Sequence, residues 1–389
     1  MIDELKTKID TICVLRGLLS DPVINKLSLF LENKTNSAYA EFVAALYNAN
    51  GGNLSLYVKE ICENSENVYV RTVGEGQKVP QFMFDALCEE LKTMQMIADV
   101  TSPKLKSEIE YSGFLPDFDN SKINLTEDYL YRADNISKYG YGIYAKNSMF
   151  YVGENGDIIP VAHPDETVLS QLVDYERERN IILENTKALL DGKPAANILL
   201  TGDAGTGKSS TVKAVGNALF GEGLRIIEVR KDQLRSIPKL LNELSRNPLK
   251  FVLFIDDLSF LKDDDNFNAL KAVLEGSVSA KSKNVVIYAT SNRRHIIKEK
   301  FSDREGDDVH RNDTVQELVS LSERFGIHIT FSKPNKETFL RIVRHLAEEK
   351  GVSLPLAEIE AGAERLALER GGRSARLARQ YIDSLIAKQ

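Results

Sequence analysis

The stretch Asn197–Ser210, NILLTGDAGTGKSS, leaves this chain few ways to fold. Its apolar run, Ile198–Leu200, reads as a buried strand, and a helix-forming run begins at Lys208. Between them lie Gly202, Asp203, Ala204, Gly205, Thr206 and Gly207. Strand, glycine loop and helix in that order make a phosphate cradle of the form G-x-x-x-x-G-K-[ST]. Its glycines permit the backbone conformations that turn successive N–H groups inward around a polyphosphate. Lys208 brings a point charge to the β- and γ-phosphates, and the hydroxyl of Ser209 is a ligand for Mg²⁺. Ser210 carries the stretch into the helix, whose positive N-terminus faces the anion. A purely structural loop is the plainer alternative, and the flanking strand and helix argue against it.

A cradle leaves the machine unspecified, so the strands that follow carry the next inference. Apolar runs at Asn197–Thr201, Arg225–Val229, Phe251–Ile255, Val285–Thr290 and Ile327–Phe331 alternate with helical runs at 209–220, 238–246, 267–275 and 314–325. Continuous buried strands spaced by helices imply a five-stranded parallel sheet covered on both faces. Phe251–Ile255 ends in Asp256 and Asp257, at the strand end where open α/β sheets bind ligands. Asp256 there suits the Mg²⁺ shell, and Asp257 suits a general base for attacking water. Val285–Thr290 leads to Ser291 and Asn292, whose amide can bond that water or the γ-phosphate. Arg324, just ahead of the last strand, sits at the edge of the sheet, where it can reach the γ-phosphate of a neighbouring subunit; a solvated arginine is the alternative. In GGRSARLAR, glycines break the chain and arginines open a helix. Arg376 and Arg379 share a face there while Arg373 is displaced, so one of them can serve nucleotide.

Taken in order, these features resemble an AAA+ ATPase over residues 170–389. The wording of DYERERNIILENTKALLDGKPAANILLTGDAGTGKSS, FIDDLSF, VVIYATSNRRH, LSERFG and GRSARLARQ is similar to the bacterial AAA+ family known as domain of unknown function, family 815. The resemblance implies an α/β P-loop NTPase with a C-terminal helical lid, ATP and Mg²⁺ as cofactors, and a homo-oligomer. In its terms Gly202–Ser209 is Walker A, Phe251–Asp257 Walker B, Asn292 sensor 1, Arg324 the arginine finger, and Arg376 or Arg373 sensor 2. One departure is visible. The family pattern ends Walker B in Asp-Glu, whereas Asp256-Asp257 ends in a carboxylate one methylene shorter, which implies slower or differently arranged water activation.

Composition narrows the partners. A net charge of −7 on 389 residues gives no bulk basic field to draw the chain to nucleic acid or anionic membrane. A DNA-associated loader therefore rests on fold analogy alone. Cys13, Cys62 and Cys88 are too scattered for a disulfide framework or a zinc spacing, and no run of 18 apolar residues exists, so a cytoplasmic protein is expected.

The rest of the chain reads as two further pieces. Residues 1–111 show helical spacing, and Phe30, Tyr39, Phe42, Tyr47, Tyr57, Phe82 and Phe84 are expected in their core. An unidentified protein partner is assigned to this domain by exclusion. Residues 112–165 form a connector, loop-like to 140 and then a three-stranded β-meander over 141–161. The α/β domain is expected over 166–333, opening with a helix from Val168 to Leu190, and the lid over 334–389. Two readings of function follow: an oligomeric ATPase that remodels or assembles a partner, and a nucleotide-dependent switch or scaffold with slow hydrolysis.

Overall fold

The computed structural model describes residues 2–258, 265–275, 283–292 and 323–387. The expected helix over 314–325 lies almost wholly outside them. Two compact units emerge: Met1–Lys146 with Arg246–Leu249, and Asn147–Ser245 with Lys250–Gln389.

The first unit is helical. Its longer helices are Pro22–Asn33, Asn36–Asn50, Leu54–Asn64 and Gln81–Ala98. Local chemistry starts them: Asp21 accepts from Val23 N–H and Ile24 N–H ahead of Pro22, while Thr35 and Asn53 cap the next two. Phe30, Tyr39 and Phe42 are fully buried, but Phe82 is 74% exposed and Tyr47 is half out of the core. Phe82 sits in the first turn of its helix, off the face that carries Leu87, Leu91 and Met94. The first helix stops at Asp10, because the buried carboxylate of Glu90 accepts N–H bonds from Cys13, Val14 and Leu15 at 2.9, 3.0 and 2.7 Å. Residues 112–140 are not all loop. Asn124 caps a helix over Leu125–Asp134, whose Leu125, Tyr129 and Ala133 face inward at helical spacing.

The second unit is built on a sheet of seven described strands: β1 (Met149–Val152), β2 (Ile158–Pro160), β3 (Ile198–Gly202), β4 (Leu224–Glu228), β5 (Lys250–Ile255), β6 (Val285–Ser291) and β7 (Ile327–Phe331). Their order is β2-β1-β4-β5-β6-β3-β7. The five expected strands form one parallel run, and β3, β5 and β6 are buried almost throughout. The sheet is nevertheless mixed and larger than five strands. The expected meander is a two-stranded hairpin, β1 pairing parallel with β4 and antiparallel with β2, and Gly142–Tyr144 forms a 3₁₀ turn in place of a third strand.

Helices Glu176–Leu190 and Lys208–Leu219 flank the sheet. The first begins later than expected. Leu169–Gln171 is a 3₁₀ turn, and Asp174 and Tyr175 both adopt left-handed backbone, with φ of 64° and 59°. Past β7, helices Lys336–Glu349, Leu356–Glu369 and Ala375–Ile386 share their own core around Phe339, Val343, Ala363 and Ala378.

Candidate functional site

The glycine loop leaves β3 where the backbone of β7 lies alongside. Gly202 has φ of +138°, and a Cβ there would fall 2.0 Å from the carbonyl oxygen of Phe331, its strand partner. Only a residue without a side chain fits. Gly205, at φ +77°, is closed over by the last helix: its carbonyl accepts Arg376 N–H at 3.3 Å, and a Cβ would meet Arg376 Cβ at 3.0 Å. Thr206 Oγ1 donates to the Asp203 carbonyl at 2.9 Å, bracing the loop from inside.

Lys208 opens the helix that follows and is 5% exposed. Its ammonium donates to the carbonyls of Gly202 and Asp203, at 2.9 and 2.8 Å, and to Asn292 Oδ1 at 3.0 Å. Burial pushes its pKa below the ordinary lysine range, opposed by Asp256, Asp203 and Asp257.

The acidic pair stands at the carboxyl end of β5, beside the carboxyl end of β6 and one strand away from β3. Asp256 Oδ1 accepts from Ser209 Oγ at 2.7 Å and from Thr290 Oγ1 at 2.5 Å. Asp257 has φ of +53°, and its Oδ1 accepts from Asn292 Nδ2 at 2.8 Å. Among the described residues, no three His, Cys, Asp or Glu side chains converge as a metal cage. One hydroxyl and one carboxylate at hydrogen-bond distance nevertheless suit Mg²⁺, which keeps several waters and takes few protein ligands beside substrate phosphates.

Gly205–Ser209, Asp256, Asp257, Thr290 and Asn292 line one cavity of about 450 Å³, with Ala204, Ser210, Arg376 and Arg379 also on its walls, whereas Gly202 and Asp203 meet it only through the Lys208 ammonium that their carbonyls hold. The cavity wall also includes Gln171, Leu172, Val173, Asp174 and Tyr175, together with Ile342 and Leu346 of the C-terminal helices. Spacing alone did not mark Gln171–Tyr175, since the segment reads as helix. Tertiary bonds hold it instead: Tyr175 Oη donates to the Ser332 carbonyl, its ring packs on Phe331 at 5.1 Å, and Asp174 pairs with Arg341 at 3.1 Å. Arg379 had a signal, being in helical phase with Arg376.

Arg373 and Arg324 stand apart from this cavity, Arg324 being expected to serve a neighbouring subunit and not its own chain. Arg373 is absent from the cavity wall and makes a two-pronged pair with Glu364, both contacts at 2.8 Å. Arg324 is ion-paired to Glu275. It precedes β7, whose first residue, Ile327, pairs with Ile198, whereas the glycine loop departs from Gly202 beside Phe331. About 13 Å of strand separates those two ends, so Arg324 stands at the sheet end opposite its own chain's loop.

A family model described as "Protein of unknown function (DUF815)" matches residues 145–389. The chain belongs to this family. Its second unit is an α/β domain in which a glycine loop follows β3 and paired carboxylates follow β5, within a run of parallel strands. Among solved structures, the chain is similar to the Thermotoga maritima RuvB Holliday junction branch migration motor, at 17% identity and a TM-score of 0.38, covering 56% of this chain and 63% of that one. A valine-for-threonine variant of the same RuvB matches at 16% identity with equal coverage and TM-score. The chain thus spans less than two thirds of the motor's length. No curated protein matches it. Among the described residues, no helix is long and apolar enough to cross a membrane.

Proposed function

We propose that this member of the family is an ATPase that binds MgATP in the cavity and hydrolyses it within a homo-oligomer, remodelling or assembling a protein partner. The observation that carries the reading is the convergence of Lys208, Ser209, Asp256, Asp257, Asn292 and Arg376 on one cavity of nucleotide size. The loop amides of Gly202–Ser209 and the helix N-terminus behind them cradle the phosphates, and the Lys208 ammonium leaves its carbonyl partners for the β- and γ-oxygens. Ser209 and Asp256 hold Mg²⁺, which when bound offsets the phosphate charge and orients the γ-phosphoryl group. Asp257 takes the proton of the attacking water, and Asn292 holds Asp257 and that water in line. Arg376 and Arg379, on the last helix, meet the phosphates from the lid side. Gln171–Tyr175, with Ile342 and Leu346, receives the nucleoside.

Arg324 completes a neighbour's site. Its place at the far end of the sheet supports this role, because it is too distant to serve its own loop. An arginine supplied in trans contributes about 10³–10⁵ in rate, so dilute subunits should bind ATP yet turn it over poorly. Residues 1–111 remain the proposed partner-binding domain.

A second reading, a nucleotide-dependent switch with slow hydrolysis, is favoured by the short carboxylate of Asp257. Phosphate release and ATP binding, measured on wild type and Asp257→Asn, separate the two. The ATPase reading predicts steady multiple turnover in wild type and a loss of at least about 10²-fold in the variant with binding kept. A wild type that stops after one turnover per subunit would favour the switch, and equal turnover in the two proteins would remove Asp257 from the chemistry.

A further inference from the structure

We infer that Thr290 is the positioning residue that sets both carboxylates of the site, an inference that rests on the ATPase reading above. Thr290 lies at the carboxyl end of β6 and is 2% exposed. Its hydroxyl donates to Asp256 Oδ1 at 2.5 Å, and the same oxygen accepts Asp257 N–H at 3.0 Å, a proton shared with Asp256 Oδ1 at 3.1 Å. Its carbonyl accepts Leu258 N–H at 2.7 Å. One residue on β6 therefore binds three consecutive residues of the turn that leaves β5.

The direction of these bonds follows from chemistry. An ionised carboxylate only accepts, so the single hydroxyl proton goes to Asp256 and a lone pair is left for Asp257 N–H. A β-branched side chain in a strand holds few χ1 wells, which fixes the oxygen between its two partners. The turn it holds is an unusual one. Asp257 lies at φ +53°, where residues other than glycine are uncommon. Thr290 bonds both the N–H of Asp257 and the N–H that follows it, gripping that conformation from either side. The left-handed turn carries the Asp257 carboxylate to Asn292 Nδ2 at 2.8 Å. Backbone direction, set by Thr290, thus aims a carboxylate with a short side chain. On Asp256 the same hydroxyl orients the group proposed to hold Mg²⁺, as the outer partners of metal-bound carboxylates do.

Valine matches threonine in shape and lacks the hydroxyl; serine keeps the hydroxyl and loses the methyl. Thr290→Val and Thr290→Ser in the full chain separate hydroxyl chemistry from packing. The readouts are binding of a fluorescent ATP analogue in chelator and across a Mg²⁺ titration, and phosphate release. Thr290→Val should keep metal-free analogue affinity within about 3-fold, while the Mg²⁺ needed for half-maximal binding rises and turnover falls by about 10–100-fold, the range expected when a ligand's outer partner is lost. Thr290→Ser should restore most of both. Wild-type Mg²⁺ dependence and turnover in Thr290→Val would overturn the inference, as would a serine variant as impaired as the valine one. A wild type that binds the Mg²⁺ complex yet releases no phosphate would remove the ATPase reading alone, and the Mg²⁺ titration would still decide the inference.

Discussion

Lys208 Nζ donates to Asn292 Oδ1 at 3.0 Å across 84 residues of chain, and the amide nitrogen of Asn292 donates to Asp257 Oδ1 at 2.8 Å. One side chain thus touches the cation of the glycine loop and the second carboxylate at once. When phosphate draws Lys208 away, Asn292 keeps Asp257. Asn292→Ala should therefore leave ATP binding within about 3-fold and lower phosphate release by about 10²-fold, the usual cost of one oriented donor at a reacting centre. Parallel binding and steady-state assays check this; equal losses in both would mean that Asn292 acts on binding alone.

Arg376 and Arg373 are expected to behave differently. Arg376 lines the cavity and bonds the loop through its backbone, whereas Arg373 is held by Glu364. Arg376→Ala should weaken ATP binding by about 10–100-fold, the value of a hydrogen bond to a charged group. Arg373→Ala should change affinity by less than about 2-fold, on the scale of an exposed ion pair. Equilibrium titration of both variants decides the assignment, and a reversed order would move the sensing role to Arg373.

The glycine loop offers a stability test that needs no nucleotide. Gly202→Ala combines positive-φ strain with overlap on the Phe331 carbonyl and should cost about 2–5 kcal/mol. At Gly207, with φ +95° and open space where a Cβ would stand, alanine adds strain alone and should cost about 1–2 kcal/mol. Denaturant unfolding should rank them in that order; equal midpoints would contradict the close approach of β7 to the loop.

Tyr175 carries a pH signature. Burial pushes its phenol up to about 12 from an ordinary 10.0. The folded chain keeps a proton that the unfolded chain releases, so this contribution to stability is whole below pH 10 and is lost as pH rises towards 12. Tyrosinate absorbance of wild type minus Tyr175→Phe should show one phenol ionising near 12. Ionisation at the ordinary tyrosine value would mean that Tyr175 is not packed on Phe331.

Much of the site was legible because its signals are local. A glycine loop between strand and helix, and an apolar strand ending in Asp256 and Asp257, declare themselves within a short stretch of chain. The left-handed break at Asp174 and Tyr175 was not legible. No glycine or proline marks it, and the bonds that impose it come from Ser332 and Arg341, at the far end of the unit in sequence. The pairing of Arg373 was hidden in the same way, since its partner Glu364 belongs to another helix.

Strand count failed for a related reason. Residues 141–161 alternate as strands do, but only β1 and β2 find partners, and β1 finds one of them in β4 of the main sheet. Burial of Glu90 likewise overrode helical spacing after Asp10, since three backbone N–H bonds to a carboxylate outweigh a fraying turn.

The most direct test is equilibrium binding of MgATP to wild type and to Lys208→Ala, with the fold of both checked by circular dichroism. Removing the buried ammonium proposed to bind phosphate should weaken binding by at least about 10–100-fold and abolish phosphate release. A folded Lys208→Ala protein that binds MgATP as tightly as wild type would contradict the assignment of Gly202–Ser209 as the phosphate cradle.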